Sequence, residues 1–458
     1  MRWGRCCVAL AGLVAVSRPL VAQDTAAIDR GVRIGITYQP GVRPGLVLLP
    51  PPTTLGPVRD SLRAILWRDL DYSDRYELIS FAGSDSIQVS APHSLSTPHA
   101  RPSVALAVLN YPLYRALGAD FAVTIASRRS SDTLDITVHD IVAGSVRRVL
   151  PARLPALTAP GFRLAVHRVA DRIVEATLGV RGIAATRILY LASGKLYRID
   201  QDGADMKTLV SSGDRSILSP GWDHEGNRIT YTEFWSGHGQ LFVQAAGSGK
   251  RRAVTDGKTL DFTPEFSPDG KTIVFSRAIE EGTDIYALNI GDNCCLQRLT
   301  VGRFSDNLSP TYSPDGQRIA FVSTRAGAPQ VYVMAPDGTD QQLFAPFDYG
   351  VTGASNAPDW SPDGQSVAFH REVGGTLQVF VLDARNRTAR QLTSVGRNED
   401  PTWAPDSRHL AFISDRSGYR QLWVIDIETG RIRPLLLQSG VRLPAWSPLL
   451  PETEASTP

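Results

Sequence analysis

Two periods run along this chain, and they part it near residue 180. In the first stretch apolar residues alternate, or recur at helical spacing, without returning as a unit. Val32, Ile34 and Ile36 alternate as a strand, and Leu46 to Leu49 form a second short apolar run. Val58, Leu62, Ile65, Leu66 and Leu70 fall on one face of a helix, with Pro57 suited to its first turn. Phe81 to Arg101 is rich in Ser, Pro and Ala and reads as a loop. Phe121, Val123 and Ile125, then Leu134, Ile136 and Val138, alternate as a hairpin. Phe162, Val166, Val169, Ile173 and Ala176 line a last helix that starts near Pro160 and stops at Gly179. These elements predict a small α/β domain over residues 23–180.

Beyond it the pattern repeats. A proline, one variable residue and an aromatic, then a tight turn, return at Pro220 (P-G-W-D-H-E-G), Pro264 (P-E-F-S-P-D-G), Pro310 (P-T-Y-S-P-D-G), Pro358 (P-D-W-S-P-D-G), Pro401 (P-T-W-A-P-D-S) and Pro444 (P-A-W-S-P-L-L). The steps are 44, 46, 48, 43 and 43 residues, the length of one four-stranded propeller blade. In S-P-D-G the proline presets φ, the aspartate bonds its own backbone and the glycine accepts positive φ. Each full phrase leads into an alternating strand (Ile273 and Phe275, Ile319 and Phe321, Val367 and Phe369, Leu410 and Phe412) and then two further strand signals.

The ends of the array complement each other. The phrase at Pro444 lacks its later strands, whereas Ile188 to Leu191, Leu196-Tyr197 and Leu209 stand before the first phrase without an inner strand. The expected architecture is an α/β N-terminal domain followed by an all-β six-bladed propeller, residues 187–449, closed by a split blade, with a tail at 450–458. Trp222, Phe266, Tyr312, Trp360, Trp403 and Trp446 are expected to pack between blades.

Charge and the first residues add a location. Arg2 and Arg5 precede the apolar run Cys6 to Val16, and Ala22 ends a plausible cleavage site. A signal peptide over 1–22 and an exported mature protein are expected, since the run is too short to span a bilayer. Removing it takes three arginines and no acid, so the formal charge moves from +2 to −1. That leaves no basic excess for a nucleic acid and no polybasic tract for a membrane surface. Only Cys294 and Cys295 then remain, adjacent in an expected blade loop: two free thiols in one reading, a strained vicinal disulfide in the other.

Candidate chemistry is sparse. Neither G-x-S-x-G nor H-E-x-x-H occurs, and the eight histidines are scattered. Gly257-Lys258-Thr259 and Gly270-Lys271-Thr272 lack the upstream glycine of a phosphate loop. No catalytic residue, metal or cofactor is expected. Two alternatives stay open: a channel cation near Asp261, Asp306 and Asp400, and a small ligand such as a sugar or peptidoglycan fragment.

The order of these features resembles the TolB family, the periplasmic component of the Tol–Pal system. G-V-R-I-G-I-T from Gly31 looks like the family's amino-terminal segment, and D-L-D-Y-S-D-R-Y from Asp69 is similar to its D-L-x-x-S-x-x-F stretch. R-L-A-V-H-R-V-A-D-R-I from Arg163 resembles the helix that joins its two domains. T-R-I-L-Y and P-A-W-S-P also fit. The chain departs from the pattern at Pro50, Pro51 and Pro52, at Asp223-His224-Glu225, and between Phe81 and Arg101.

The resemblance implies a non-enzymatic adaptor with two surfaces. An arm over Asp29 to Arg43, with Val32, Arg33, Ile34 and Ile36, would engage a TolA-like inner-membrane protein by strand addition. The same residues can also be an ordinary first strand. A Pal-like lipoprotein would sit on one propeller mouth. Repeat register puts that mouth at the residues before each proline: Arg215 and Ser216, Asp261 to Thr263, Asp306, Asn307 and Ser309, Ser355 and Asn356, Asn398, Glu399 and Asp400, and Arg442.

Overall fold

The structure, a computed structural model, describes residues 43–80, 109–128, 133–211, 213–345 and 353–451. The expected leader, the arm residues Val32, Arg33, Ile34 and Ile36, and the Phe81–Arg101 segment lie outside the described residues.

The first domain is a five-stranded sheet carried by β1 (Gly45–Leu48), β2 (Glu77–Leu78), β3 (Phe121–Ser127), β4 (Thr133–Asp140) and β5 (Ser145–Arg153), in the order β2-β1-β3-β4-β5. β1 runs parallel to both neighbours, and the last three strands are antiparallel. α1 (Val58–Tyr72) and α3 (Phe162–Leu178) lay Leu62, Leu66 and Leu70, and Val166, Val169 and Ile173, on the face carrying Phe121, Val123, Ile136 and Val138. The short helix α2 (Tyr111–Ala116) packs Tyr114 against Val47 and Ala122 on the other face. Gly179 caps α3 at φ 72, a conformation that costs a glycine nothing. Among the described residues no helix is long and apolar enough to cross a membrane.

Six four-stranded sheets follow. Five are consecutive in sequence. In the sixth, Arg442–Trp446 is the inner strand beside β6 (Arg187–Ala192), β7 (Lys195–Asp200) and β8 (Lys207–Ser211). Ala445 faces Leu189 and Trp446 faces Ile188 across that seam. The phrase aromatics are all buried; Trp403 and Trp222 also tie neighbouring blades, and Trp446 ties the two ends of the split blade. Trp403 Nε1 donates to the Asp359 carbonyl at 3.1 Å, Trp222 Nε1 to the Ala445 carbonyl at 3.1 Å, and Trp446 Nε1 to Thr186 Oγ1 at 2.9 Å.

The S-P-D-G turns close on themselves. Ser267, Ser313 and Ser361 each donate to the aspartate two residues on, at 2.6, 2.6 and 2.5 Å. Blade five carries A-P-D-S instead, so Asp406 meets no such hydroxyl and is free to face outward. It accepts from His409 Nδ1 at 2.8 Å and from Arg75 of the α/β domain at 3.2 Å. The departure from the phrase therefore marks where the domains dock.

Around it lies a buried charged seam. Asp74, 1% exposed, accepts from Arg431 Nη1 at 2.8 Å and pairs with His409 Nε2 at 3.2 Å. Arg408 grips Asp426 at 2.6 Å and donates to the Asp74 carbonyl at 3.0 Å, while Arg433 lies 3.8 Å over the Tyr72 ring. A second cluster joins α3 to the split blade: His167 bonds Asp69 at 2.7 Å and faces Asp200 at 3.6 Å, and Arg163 pairs with Asp202. Leu450, from the S-P-L-L turn, packs on Leu164 and Ala185. Burial disfavours charge on both histidines, but the facing carboxylates outweigh it and hold His167 at about 10 and His409 at about 9. Asp69, His167 and Asp202, and likewise Asp74, His409 and Asp426, are close enough to share a cation. In each group an arginine already engages a carboxylate, Arg163 on Asp202 and Arg408 on Asp426, so the chemistry on display is ion pairing.

Candidate partner face and channel

Strands alternate in direction within each blade. The S-P-D-G turns and the turns between third and fourth strands therefore share one face, here the turn face. The second-to-third hairpins and the links into the next blade share the other, the rim face. The α/β domain docks on the turn face, through Asp406, Arg431 and Asp202 of blades five and six.

Every inner strand carries the same irregularity. The residue before the repeat proline is left-handed in all six blades: Ser219, Thr263, Ser309, Ala357, Asp400 and Leu443, with φ between 47 and 53. None is glycine, and such residues are uncommon outside special sites. The strand register slips at each one. Proline cannot donate to a strand partner, so a bulge lodges it without wasting an acceptor. The bulge also aims three successive residues of each blade at the central channel.

Those residues enclose a cavity of about 330 Å³, lined from the left-handed station to the following turn. The variable residues of the phrase, Gly221, Glu265, Thr311, Asp359, Thr402 and Ala445, all line it. Two of them also bind the next blade: Asp359 Oδ2 accepts from Trp403 N at 2.7 Å, and Thr402 Oγ1 from Trp446 N at 3.2 Å. Burial holds the Glu265 carboxyl well above the usual range, reinforced by Asp359. Burial also pushes Asp359 and Asp400 up to about 6, the latter with help from Glu399.

The anticipated rim residues divide into three groups. Asp261, Asn307 and Asn398 are fully buried and belong to the framework. Each holds an arginine that lies over an aromatic pair. Arg277 is bidentate on Asp261 at 2.6 and 2.9 Å and stacks on Phe275 and Tyr286. Arg325 donates to Asn307 at 3.0 Å, and Arg416 to Asn398 at 2.9 Å. Glu399 is also buried, bonded to Arg397 at 2.9 Å with Arg420 at 3.3 Å. An open rim position for these four is thus corrected, because a desolvated side chain needs partners and finds them inside the blade. Thr263, Ser309 and Asp400 line the channel. Asp400 N donates to His370 Nδ1 at 3.1 Å, and burial lowers that imidazole to about 4, so it stays a neutral acceptor. Arg215, Asp306, Asn356 and Arg442 remain at least partly in solvent on the rim face. Of these, Arg215 is engaged with Glu233 at 3.0 Å and lies over Trp235.

Two corrections follow. The acids that line the channel are Asp223, itself paired with Arg228, and Glu265, Asp359 and Asp400, not Asp261, Asp306 and Asp400, because Asp261 is clamped by Arg277 and Asp306 lies at the rim. The rim face also carries apolar residues that are absent from the positions named from repeat register. Val301, Phe304, Val395, Tyr419 and Leu437 are all strongly exposed, Phe304 to 86%. Tyr419 stands in a second-to-third hairpin and the other four in inter-blade links, where their place just before the inner strands was the available signal.

Comparison with known proteins agrees with this architecture. A family model described as the TolB beta propeller domain matches residues 174–348 and 349–450. The proteins named Tol-Pal system protein TolB from Bordetella pertussis and Bordetella bronchiseptica are 29% identical over 235 residues, 50% of this chain and 52% of theirs. The matched stretch thus spans about half the length of these relatives. The crystal structure of TolB from Acinetobacter baumannii superposes with a TM-score of 0.74 at 24% identity, covering 89% of this chain and 98% of that one, which establishes the shared fold. Because the family model spans well over half the chain and covers every blade, this chain belongs to the TolB beta-propeller family.

Proposed function

We propose that the chain is a non-enzymatic periplasmic adaptor of the Tol–Pal system, and that its rim face holds a peptidoglycan-associated lipoprotein of the Pal type. The observation that carries the proposal is the contrast between faces. The α/β domain takes the turn face, while the rim face keeps Asp306, Asn356 and Arg442 accessible beside Val301, Phe304 and Leu437. Large apolar side chains rimmed by polar ones are the composition of a protein-binding patch. The Bordetella relatives, named as Tol-Pal proteins, support the choice of system.

In this proposal residues 1–22 are a leader, and Asp29 to Arg43 add a strand to a TolA-like inner-membrane protein. The adaptor then links the two envelope layers, serving outer-membrane integrity and constriction at division. Titration of the protein with the soluble part of a Pal-type lipoprotein from the same organism tests the first contact. Phe304→Ser with Asp306→Arg is expected to weaken binding at least about tenfold, as a central anchor does. Lys271→Glu, on the turn face, is expected to leave it unchanged. Absence of binding by the unmodified protein would remove the proposal.

The cavity supports a second reading, a sugar or peptidoglycan fragment held by Glu265, Asp359 and Asp400. Saturable muropeptide binding lost in Glu265→Gln, with no lipoprotein binding, would favour it.

A further inference from the structure

Cys294 and Cys295 open the outer strand of blade two, Cys294–Arg298. Neighbours in a regular strand point to opposite faces, so adjacent thiols there should be far apart. In this strand they are not. Cys295 is left-handed at φ 61. Asn289 faces Cys294 and Ala287 faces Gln297, so Cys295 and Leu296 together oppose the single Leu288. This bulge swings both side chains to one side and brings the two sulfurs to 2.6 Å.

The neighbouring blade steadies the turn just before them. Arg252 donates to Asn293 Oδ1 at 2.9 Å and also bonds the Ile290 carbonyl. Asn293 is itself left-handed at φ 50. Two consecutive turns of this kind cost a non-glycine chain energy, and no core contact is gained, because Cys295 and Leu296 are exposed. What the conformation does accomplish is the pairing of the thiols. The hydrogen bond shared with Cys295 pushes the Cys294 thiol up, as expected for one proton held between two sulfurs.

We propose that Cys294 and Cys295 form a two-electron redox site, closed to a vicinal disulfide by exchange with a disulfide oxidant such as glutathione disulfide. The more exposed Cys295 thiolate attacks one sulfur of the oxidant and expels the other as a thiolate. The Cys294 thiolate then attacks the Cys295 sulfur and expels the second thiol. The two cysteine sulfurs are oxidised, the oxidant is reduced to two thiols, and the two cysteine protons end on those thiols or in solvent. Consecutive α-carbons lie about 3.8 Å apart across a trans peptide, closer than an unstrained disulfide prefers. The bridge is therefore a labile one that a thiol reductant reopens, unlike a structural disulfide.

Mass spectrometry of the proteolytic peptide ending at Arg298 tests this, using the full chain equilibrated with glutathione and glutathione disulfide. The expected product is a peptide two hydrogens lighter that resists alkylation and reverts with dithiothreitol. Cys294→Ser is expected to stop at the glutathione adduct on Cys295, since the resolving thiol is gone. Phenylarsine oxide, which needs two neighbouring thiols, should label the reduced site and not the oxidised one. Unmodified protein that accumulates glutathione adducts or linked dimers, with no lighter peptide, would overturn the proposal. An unchanged melting curve for Cys294→Ser shows that its arrest at the adduct comes from the missing thiol and not from misfolding.

Discussion

On the turn face, blade five gives Asp406, Arg408, His409 and Asp426 to a seam with the α/β domain, and nearly all of that charge is out of water. On the rim face the same blade presents Tyr419 to solvent, with Val395 and Leu437 in the links on either side of it. One repeat thus yields two kinds of surface. Buried ion pairs are costly to break and specify one geometry, which suits a permanent joint. Exposed apolar side chains cost the free protein little in stability and can be covered and uncovered, which suits exchange with a separate molecule.

The contrast can be broken most severely at the ring closure that both faces share. Deleting Arg442–Trp446 leaves β6 an unpaired edge and removes Trp446 from its cluster. The expected outcome is loss of the cooperative transition in calorimetry, a loss on the scale of about 5–15 kcal/mol, the whole stability of a domain. Next comes the seam. Asp74→Ala takes one of two carboxylates from each of His409 and Arg431, leaving Asp406 to the first and Asp71 to the second, and a urea midpoint shift worth about 3 kcal/mol is expected.

The seam also predicts a pH dependence. His409 and His167 are held at about 9 and about 10, above the ordinary value of 6.5. Their contribution is fully present below pH 6.5 and is lost as pH rises through 9 and then 10. Stability should fall across that window by on the order of a few kcal/mol, and His409→Ala should flatten the slope. The channel gives an effect of related origin and opposite kind. The Glu265 carboxyl is held above its ordinary range, so its burial costs stability once pH exceeds the unfolded value near 4.5. Glu265→Gln should raise the melting temperature at pH 8 but not at pH 4. Smallest of all, Phe304→Ser should change stability by less than about 0.5 kcal/mol. A large loss there would mean that the rim face is structural too.

The blades and their closure were legible because an aromatic, a turn and an alternating strand recur at fixed spacing. The turn chemistry was legible for the same reason, down to Gly270, Gly316 and Gly364 at positive φ. The channel was less so. Treating the residue after the proline as variable hid that Glu265 and Asp359 face inward, although strand alternation opposite the buried aromatic requires it. Asp261, Asn307 and Asn398 looked like surface because they are polar. Their arginine partners lie one strand on, 16 to 18 positions away, and the aromatic pair beneath completes the site only in three dimensions. The docking seam was the least legible part, because Arg75 and Asp406 are 331 positions apart. Its one local sign was the A-P-D-S turn, which first reads as a worn copy of the repeat. β5 also escaped notice: most of Ser145–Arg153 is exposed, and only Leu150 and Ala152 alternate inward.

The split blade sets an order of events for a chain made from its amino end. The Arg187 amide bonds Ser447 Oγ, 260 positions later. Three strands of the sixth blade are thus synthesised before the other five blades and must wait for the fourth until all five have emerged. Until then β6 presents a bare edge, and the ring has no way to lock early. A nascent chain of this design stays open until its ring-closing strand has been made, and that strand alone decides when six separate sheets become one body.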